Sequence, residues 1–252
     1  MIGGHSGLGE LLAVLSGKGG TGKTSVCAGI ATALADSGSS VLCIDCDVGL
    51  RNLDISLGLS ELSALSFMDI CSGNYTVDQA TEHPLYPKLR FLTAPMNCDA
   101  AQVNHAAFEK MLRAAQSQYD YILLDAPAGV DAGFQLAARH AERVLLVTGA
   151  DPASVRDARR AGDLLELMGK PDVRLIVNRI SAFMAKKLRT TVDDVMDQAA
   201  LPLMGVVPED IQIVFAAAAQ KPLLKHAKRC EAARAFRRIA NRIQGLGVPI
   251  DL

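Results

Sequence analysis

A glycine-rich segment near the amino terminus restricts the possible folds of this chain more than any other part of the sequence. Residues 15–25 read Leu-Ser-Gly-Lys-Gly-Gly-Thr-Gly-Lys-Thr-Ser and contain the pattern Gly-x-x-x-x-Gly-Lys-Thr. The pattern follows an apolar run that predicts a strand and precedes a run that predicts a helix, as a phosphate-binding loop requires. Glycines let the backbone wrap closely around phosphates, while successive amides and the start of the helix attract negative charge. The alternative is a tight packing turn, but the Lys-Thr pair at the end of the pattern favours phosphate binding.

Strand-like and helix-like runs alternate along the rest of the chain. The predicted strands are Leu11–Leu15, Val41–Asp45, Leu89–Thr93, Tyr121–Leu124, Val144–Thr148, Arg174–Val177 and Leu203–Val206. The predicted helices lie near 23–37, 104–118, 131–141, 152–169, 190–199 and 228–244. This alternation predicts an α/β fold, a mostly parallel twisted sheet with helices on both faces; together with the glycine-rich motif it predicts the P-loop NTPase type. Residues 49–88 are the least regular part, and we expect a mobile or partner-binding segment there.

Length and composition limit the classes of protein to which the chain can belong. The chain has 252 residues, of which 50% are apolar, and this predicts one domain over residues 1–252. Within it we expect disorder at 1–10 and a non-helical tail at 245–252. A net charge of −1 gives no overall attraction to nucleic acid or anionic lipid. No apolar stretch approaches the roughly 20 residues of a membrane span, and no secretory signal is evident. We therefore expect a cytoplasmic protein, or one peripheral to the inner face of the cell membrane.

The six cysteines are scattered through the chain, which is typical of reduced thiols. Cys43 and Cys46 form the one C-x-x-C pair, which can be half of a metal site. No second pair follows, and residues 41–46 read as a buried strand, so packing is favoured over metal binding.

Two lysines in the glycine-rich loop have different expected roles. Lys23 is placed to neutralise phosphate charge, and the Thr24 hydroxyl is placed to bind Mg²⁺. With Lys18, the loop reads Lys-Gly-Gly-x-Gly-Lys-Thr and resembles the deviant Walker A motif of the MinD/ParA family of P-loop ATPases. The resemblance implies that Lys18 reaches across a nucleotide-sandwich dimer to the phosphates on the other subunit; the alternative is a solvated loop lysine. It also implies that the whole loop binds nucleotide, namely Gly17, Lys18, Gly19, Gly20, Thr21, Gly22, Lys23, Thr24 and Ser25.

Aspartates end two of the predicted strands. Asp125 follows an apolar run in the Walker B arrangement, in which it holds Mg²⁺ through a water, and residues 126–129 resemble the switch II segment of the family. The resemblance implies that Asp47 orients or activates the attacking water and that Asp45 lies near the metal. Strand alternation would point Asp45 and Asp47 to the same side. Taken alone, each aspartate could instead be the polar end of a strand or a helix cap. Ligands of open α/β sheets, however, bind at the carboxyl ends of the strands, where these aspartates lie. The expected catalytic residues are Lys18, Lys23 and Asp47, and the expected metal ligands are Thr24, Asp45 and Asp125.

Two later strand ends are candidates for a base pocket. Asn178 and Arg179 end one strand, and Pro208, Glu209 and Asp210 end the last. Both match positions at which MinD-like ATPases hold adenine, through the asparagine side chain and through the backbone of the Pro-Glu-Asp turn. An asparagine amide offers a donor and an acceptor to adenine, which favours ATP over GTP. The expected cofactors are ATP or ADP with Mg²⁺.

Residues 48–54 and 152–157 resemble the MinD branch of the family, whose members determine the septum site. The resemblance covers about residues 11–240. It implies slow Mg-dependent ATP hydrolysis, a homodimer with ATP and a regulatory protein partner of the division-inhibitor or activator type. Two alternatives stay open: a positioning ATPase of the ParA or flagellar-number type, and a nucleotide-binding scaffold or carrier with negligible turnover.

The carboxyl-terminal part departs from the MinD branch. That branch ends in a basic amphipathic helix on the membrane surface, whereas residues 244–252 contain Gly and Pro that oppose a helix. We therefore expect weak membrane binding or none. Between 221 and 242, Glu231 is the single acid among eight basic residues, at 221, 225, 228, 229, 234, 237, 238 and 242. A packed helix with a solvated basic side is favoured; the alternative is a surface for anionic lipid or DNA.

Overall fold

One sheet organises the computed structural model, which describes residues 7–48, 51–96, 102–181 and 191–250. In these ranges the sheet has eight strands in the order β3-β4-β2-β5-β1-β6-β7-β8. Strand β3 pairs antiparallel with β4, and the other pairings are parallel. The strands are β1 Glu10–Leu15, β2 Val41–Asp45, β3 Thr81–His83, β4 Tyr86–Leu92, β5 Tyr121–Asp125, β6 Arg143–Thr148, β7 Asp172–Ile180 and β8 Leu203–Pro208.

Helices cover both faces of the sheet. Their bounds are α1 Lys23–Asp36, α2 Leu53–Leu57, α3 Phe67–Cys71, α4 His105–Gln116, α5 Ala132–His140, α6 Pro152–Leu167, α7 Val192–Ala199, α8 Gln212–Ala218, α9 Leu223–His226 and α10 Glu231–Ile243, with a 3₁₀ turn at Val77–Gln79. Alternate residues of β1 enter different cores. Leu12 packs in the core of α1 and α10, and Ala13 packs in the core of α4 to α7. Burial on both faces explains why the strands are continuously apolar, and the predicted fold class is confirmed.

The predicted strands and helices are present, and the structure adds short elements that periodicity did not reveal. Helices α2 and α3, the 3₁₀ turn and β3 all lie in the segment that was expected to be irregular. Each has five residues or fewer, which is too short for a helical or strand period to stand out. The expected disorder at 1–10 does not extend to Gly9 and Glu10. Their amides donate to the Gln116 and Asp120 carbonyls at 2.7 and 2.9 Å, whereas residues 1–6 lie outside the described residues.

The C-x-x-C pair does not form a binding site. Cys43 is buried in the core beneath α1, whereas Cys46 is buried in the core on the opposite face of the sheet. The two thiols therefore point away from each other and act as small apolar side chains. Cys98 lies outside the described residues.

The tail after α10 is held against the body of the protein. Residues 246–250 form no helix or strand. The Arg242 guanidinium donates to the Met204 carbonyl of β8 at 2.9 Å, to the Val248 carbonyl at 3.0 Å and to the Pro249 carbonyl. Within the described ranges, no helix has the length and apolar character needed to cross a bilayer.

Candidate nucleotide-binding site

The glycine-rich loop joins β1 to α1 at the carboxyl edge of the sheet. Gly22 precedes α1 and has a φ of 82°, a conformation that glycine adopts without strain. A Cβ at Gly22 would lie 2.4 Å from the Asn178 Nδ2 atom, and one at Gly17 would lie 2.3 Å from the Asp157 carbonyl oxygen. These two positions therefore require glycine for space, because β7 and α6 press directly on the loop.

Lys23 forms a buried ion pair with Asp125. The Lys23 Nζ lies 2.6 Å from the Asp125 Oδ1, and the two side chains are 6% and 1% exposed. The same ammonium donates to the Thr24 hydroxyl at 3.3 Å. Burial raises the pKa of Asp125, and the adjacent Lys23 charge offsets part of this effect. The predicted phosphate lysine and the predicted Walker B aspartate thus lie in one cluster.

The two other aspartates join this cluster. Asp45 is fully buried and lies opposite Asp125 in the register of β2 and β5. Its carboxylate accepts from the Asp47 amide at 2.9 Å and from the Leu53 amide at 3.3 Å. Burial, and secondly the Asp125 charge, raise the pKa of Asp45 to about 7. Burial also raises the pKa of Asp47, while Lys23 lowers it.

Strand alternation does not determine the direction of the Asp47 side chain, contrary to the prediction. Strand β2 ends at Asp45, so strand alternation does not extend to Asp47. The chain turns after the strand, and the Asp47 amide faces back to the Asp45 carboxylate. Asp47 nevertheless remains close enough to Lys23 for that charge to act on its pKa.

Lys18 lies on the exposed side of the loop. Its Nζ is 3.6 Å from the Asp151 Oδ1, and the two side chains are 42% and 49% exposed. Asp151 caps α6, because its carboxylate accepts from the Ser154 amide at 3.0 Å and from the Ser154 hydroxyl. Burial alone would raise the pKa of Asp151, but the hydrogen bonds from Ser154 and the Lys18 charge outweigh it and lower that pKa. The sequence analysis did not connect Lys18 with the start of α6.

The predicted base-pocket residues surround a cavity of about 390 Å³ beside α1. Asn178 is buried, and its Nδ2 donates to the Thr21 carbonyl at 2.7 Å. Arg179 has a φ of 58°. Its Nη1 donates to the Gly20 carbonyl at 2.9 Å, so both residues at the end of β7 are hydrogen-bonded to the loop. The cavity is lined by Gly22, Ser25, Asn178, Arg179, Pro208, Glu209, Asp210, Ile211, Ile213 and Val214. The sequence analysis did not find the apolar lining residues after Asp210, although residues 213–219 are a continuous apolar run.

Asp210 has a supporting role in this wall. Its carboxylate accepts from the Gln212 amide at 3.0 Å and from the Ala232 amide at 3.2 Å. These hydrogen bonds connect the start of α8 with the start of α10. The side chain therefore fixes the turn, and the turn contributes to the cavity.

Three buried polar atoms in this region have no hydrogen-bond partner among the described residues: Thr21 Oγ1, Asp125 Oδ2 and Asn178 Oδ1. A buried polar atom without a partner costs about 1–3 kcal/mol. An acceptor at Asp125 suits a water bound to Mg²⁺, and an acceptor at Asn178 suits the amino group of adenine. In the described ranges no three His, Cys, Asp or Glu side chains group as a metal site.

Comparison with known proteins agrees with this chemistry. The family described as the CobQ/CobB/MinD/ParA nucleotide binding domain matches residues 12–223. The chain belongs to this family. The septum site-determining protein MinD of Synechocystis is 35% identical over 242 residues, which cover 95% of this chain and 91% of that protein.

Solved structures show the same architecture. The MinC:MinD cell division protein complex of Aquifex aeolicus contains a chain that matches with a TM-score of 0.88 and 33% identity, covering 96% of this chain and 99% of that one. The septum site-determining protein MinD of Pyrococcus horikoshii OT3, complexed with Mg-ADP, matches with a TM-score of 0.81 and 25% identity, covering 94% and 96%. A nucleotide-binding domain of the MinD/ParA type is therefore established for this chain.

Proposed function

We propose that this protein is a MinD-type ATPase that dimerises with ATP, hydrolyses it slowly with Mg²⁺ and takes part in placing the division septum. One observation carries the proposal. The phosphate-binding loop lies over buried Lys23, Asp125 and Asp45, with half-buried Asp47 beside them, and its other lysine, Lys18, remains exposed. The relatives named septum site-determining proteins support the cellular role.

The roles within one subunit follow from this geometry. The loop amides and Lys23 neutralise the phosphate chain, and Asn178 with the turn at 208–210 holds the base. The Thr24 hydroxyl and Asp125 would hold Mg²⁺, with Asp45 beside them, and the ion would supply charge stabilisation to the transferred phosphoryl group. Asp47, half-buried and next to the cluster, orients the attacking water.

The dimer interface is proposed on the face that carries Lys18. A cation delivered from a second copy stabilises charge that develops during phosphoryl transfer. Ile211, Val214 and Phe215 are 58%, 59% and 52% exposed. Ile211 and Val214 also line the rim of the base cavity. A second copy seated on this face would remove these apolar side chains from water, which favours association.

The working partners are proposed from the relatives. The solved MinC:MinD complex suggests a division-inhibitor type of partner for this chain as well. We place the protein in the cytoplasm, or peripheral to the inner face of the cell membrane. A DNA surface is the alternative for the basic residues of α10.

Light scattering with nucleotide, combined with phosphate release, tests the proposal. We expect a monomer with ADP, and a dimer with ATP when Asp47→Ala blocks hydrolysis. Lys18→Ala is the matched control, because it should retain ADP binding and lose the dimer. A protein that binds ATP but neither dimerises nor releases phosphate would contradict the switch and support the scaffold alternative.

A further inference from the structure

Ser16 occupies the junction between β1 and the glycine-rich loop. Its side chain is fully buried. Its hydroxyl donates to the backbone carbonyl of Lys18 at 3.1 Å, and its own carbonyl accepts from the Gly129 amide at 3.0 Å. Ser16 is therefore bonded both to the loop that carries the exposed lysine and to the segment that follows β5 and Asp125.

The residue between Ser16 and Lys18 is confined from another side. Gly17 is pressed against the Asp157 carbonyl of α6, at a separation that no Cβ could occupy. The loop backbone from 16 to 18 is thus set by three neighbours: the segment after β5, helix α6 and the Ser16 hydroxyl. Of these, the hydroxyl is the one that acts directly on the backbone of Lys18.

We propose that Ser16 is a positioning residue that presents Lys18 to a second copy of the chain. This inference rests on the proposed ATP-dependent dimer. Lys18 has a long, flexible side chain, and ordering it and its backbone on association costs conformational entropy. A hydroxyl that already fixes the Lys18 carbonyl reduces this cost, because the backbone holds one arrangement before the second copy arrives.

Nucleotide binding and dimerisation should depend on different residues of the loop. Nucleotide binding within one subunit depends on Lys23 and Thr24, which follow the last glycine of the loop. Removal of the Ser16 hydroxyl should leave this affinity nearly unchanged. Dimerisation should weaken, because the fraction of each subunit with Lys18 correctly placed decreases. The net strength of one hydrogen bond corresponds to about two- to twelvefold per subunit, and therefore about five- to 150-fold for a dimer that uses two.

Three variants in the Asp47→Ala background test this role. Ser16→Ala removes the hydroxyl, Ser16→Cys keeps the size of the side chain with a weak donor, and Thr32→Ala removes a buried hydroxyl of α1 that bonds to the Ala28 carbonyl at 2.8 Å. Fluorescent ADP titration measures monomer affinity, and light scattering with ATP measures the dimer constant. We expect Ser16→Ala to weaken the dimer with ADP affinity within about twofold, Ser16→Cys to lie between it and the parent, and Thr32→Ala to leave both nearly unchanged.

Two results would overturn the role of Ser16. One is a dimer constant for Ser16→Ala equal to that of the parent. The other is an ADP affinity that falls in step with the dimer constant, because a loop that has merely lost its structure would bind nucleotide poorly too. Failure of the parent itself to dimerise with ATP would overturn the proposed function, and the inference with it. The three results are distinguishable in one set of measurements.

Discussion

The buried pair of Lys23 and Asp125 gives the replacement of Lys23 a consequence beyond the loss of phosphate binding. Lys23→Ala would leave the Asp125 carboxylate 1% exposed, with its second oxygen already without a partner among the described residues. A buried charge that loses its counter-charge is strongly destabilising. We therefore expect this variant to be less stable in the absence of any nucleotide.

Two considerations bound the loss of unfolding free energy in Lys23→Ala. Removal of one partner of a buried ion pair costs about 3–5 kcal/mol. Asp125 can instead take up a proton, and protonating a carboxyl group of ordinary pKa, 3.8, at pH 7 costs about 4 kcal/mol at roughly 1.4 kcal/mol per pH unit. We expect a loss of about 3–4 kcal/mol at pH 7.

The pH dependence has a definite sign. In Lys23→Ala the folded pKa of Asp125 lies above its unfolded value, so the native state binds more protons than the unfolded state between these values. Stability is then lost as pH rises. The deficit relative to the parent should be small near pH 4 and largest at neutral pH.

Urea unfolding from pH 4 to 8, without nucleotide, measures this effect. The matched control is Lys23→Ala with Asp125→Asn, which replaces the carboxylate by a neutral group of the same shape. It should recover at least half of the lost unfolding free energy without recovering ATP binding. The reasoning would be refuted if Lys23→Ala were as stable as the parent at pH 7. It would also be refuted if the difference in unfolding free energy between them did not change with pH.

Three further predictions follow from the site and the tail. Asp47→Ala should retain ATP affinity within about threefold and lower turnover by roughly 10²–10⁴-fold, because positioning of water matters only in the chemical step; phosphate release measures this, and a normal rate would exclude the role. Asp151→Asn keeps one oxygen for the Ser154 amide that caps α6, but it loses the exposed pair with Lys18 and the carboxylate acceptor of the Ser154 hydroxyl. Urea unfolding should show a loss of about 1 kcal/mol, whereas Asp151→Ala should lose about 1 kcal/mol more; equal losses would contradict the capping role. Sedimentation with anionic liposomes should show weak binding or none, because residues 246–250 form no helix and Arg242 is occupied by backbone carbonyls; strong ATP-dependent binding at physiological salt would contradict this.

The order of strands and helices was predictable because a sheet that is buried on both faces requires a recognisable hydrophobic pattern in the sequence. Strands such as β1 and β6 are continuously apolar, and the helices between them are long enough to show a period. The site residues were predictable for a different reason. Parallel strands bring their carboxyl ends to one edge, so Asp45, Asp125 and Asn178 were expected along the same edge once the sheet was inferred.

Contacts between distant segments were not predictable in the same way. The pairing of Lys18 with Asp151 depends on where the start of α6 lies relative to the loop, which no local pattern encodes. The role of Asp210 depends on α10 returning to the turn after β8, over 20 residues later in the chain. The short elements from α2 to β3 form because tertiary packing stabilises segments too short to be stable alone.

The carboxylate cluster links the stability of this protein to the occupancy of its site. Asp45 and Asp125 lie opposite each other on neighbouring strands, both buried, and the pKa of Asp45 is raised to about 7. At neutral pH this arrangement weakens the fold, because the native state holds like charges together out of water. A divalent cation beside the two carboxylates would supply opposite charge, and a ligand that binds only the native state stabilises it by an amount that grows with the logarithm of its concentration over its dissociation constant. The cluster offers the fold no packing advantage over apolar side chains, so the same charges that would hold a cation at the phosphate loop weaken the fold when no ligand is bound.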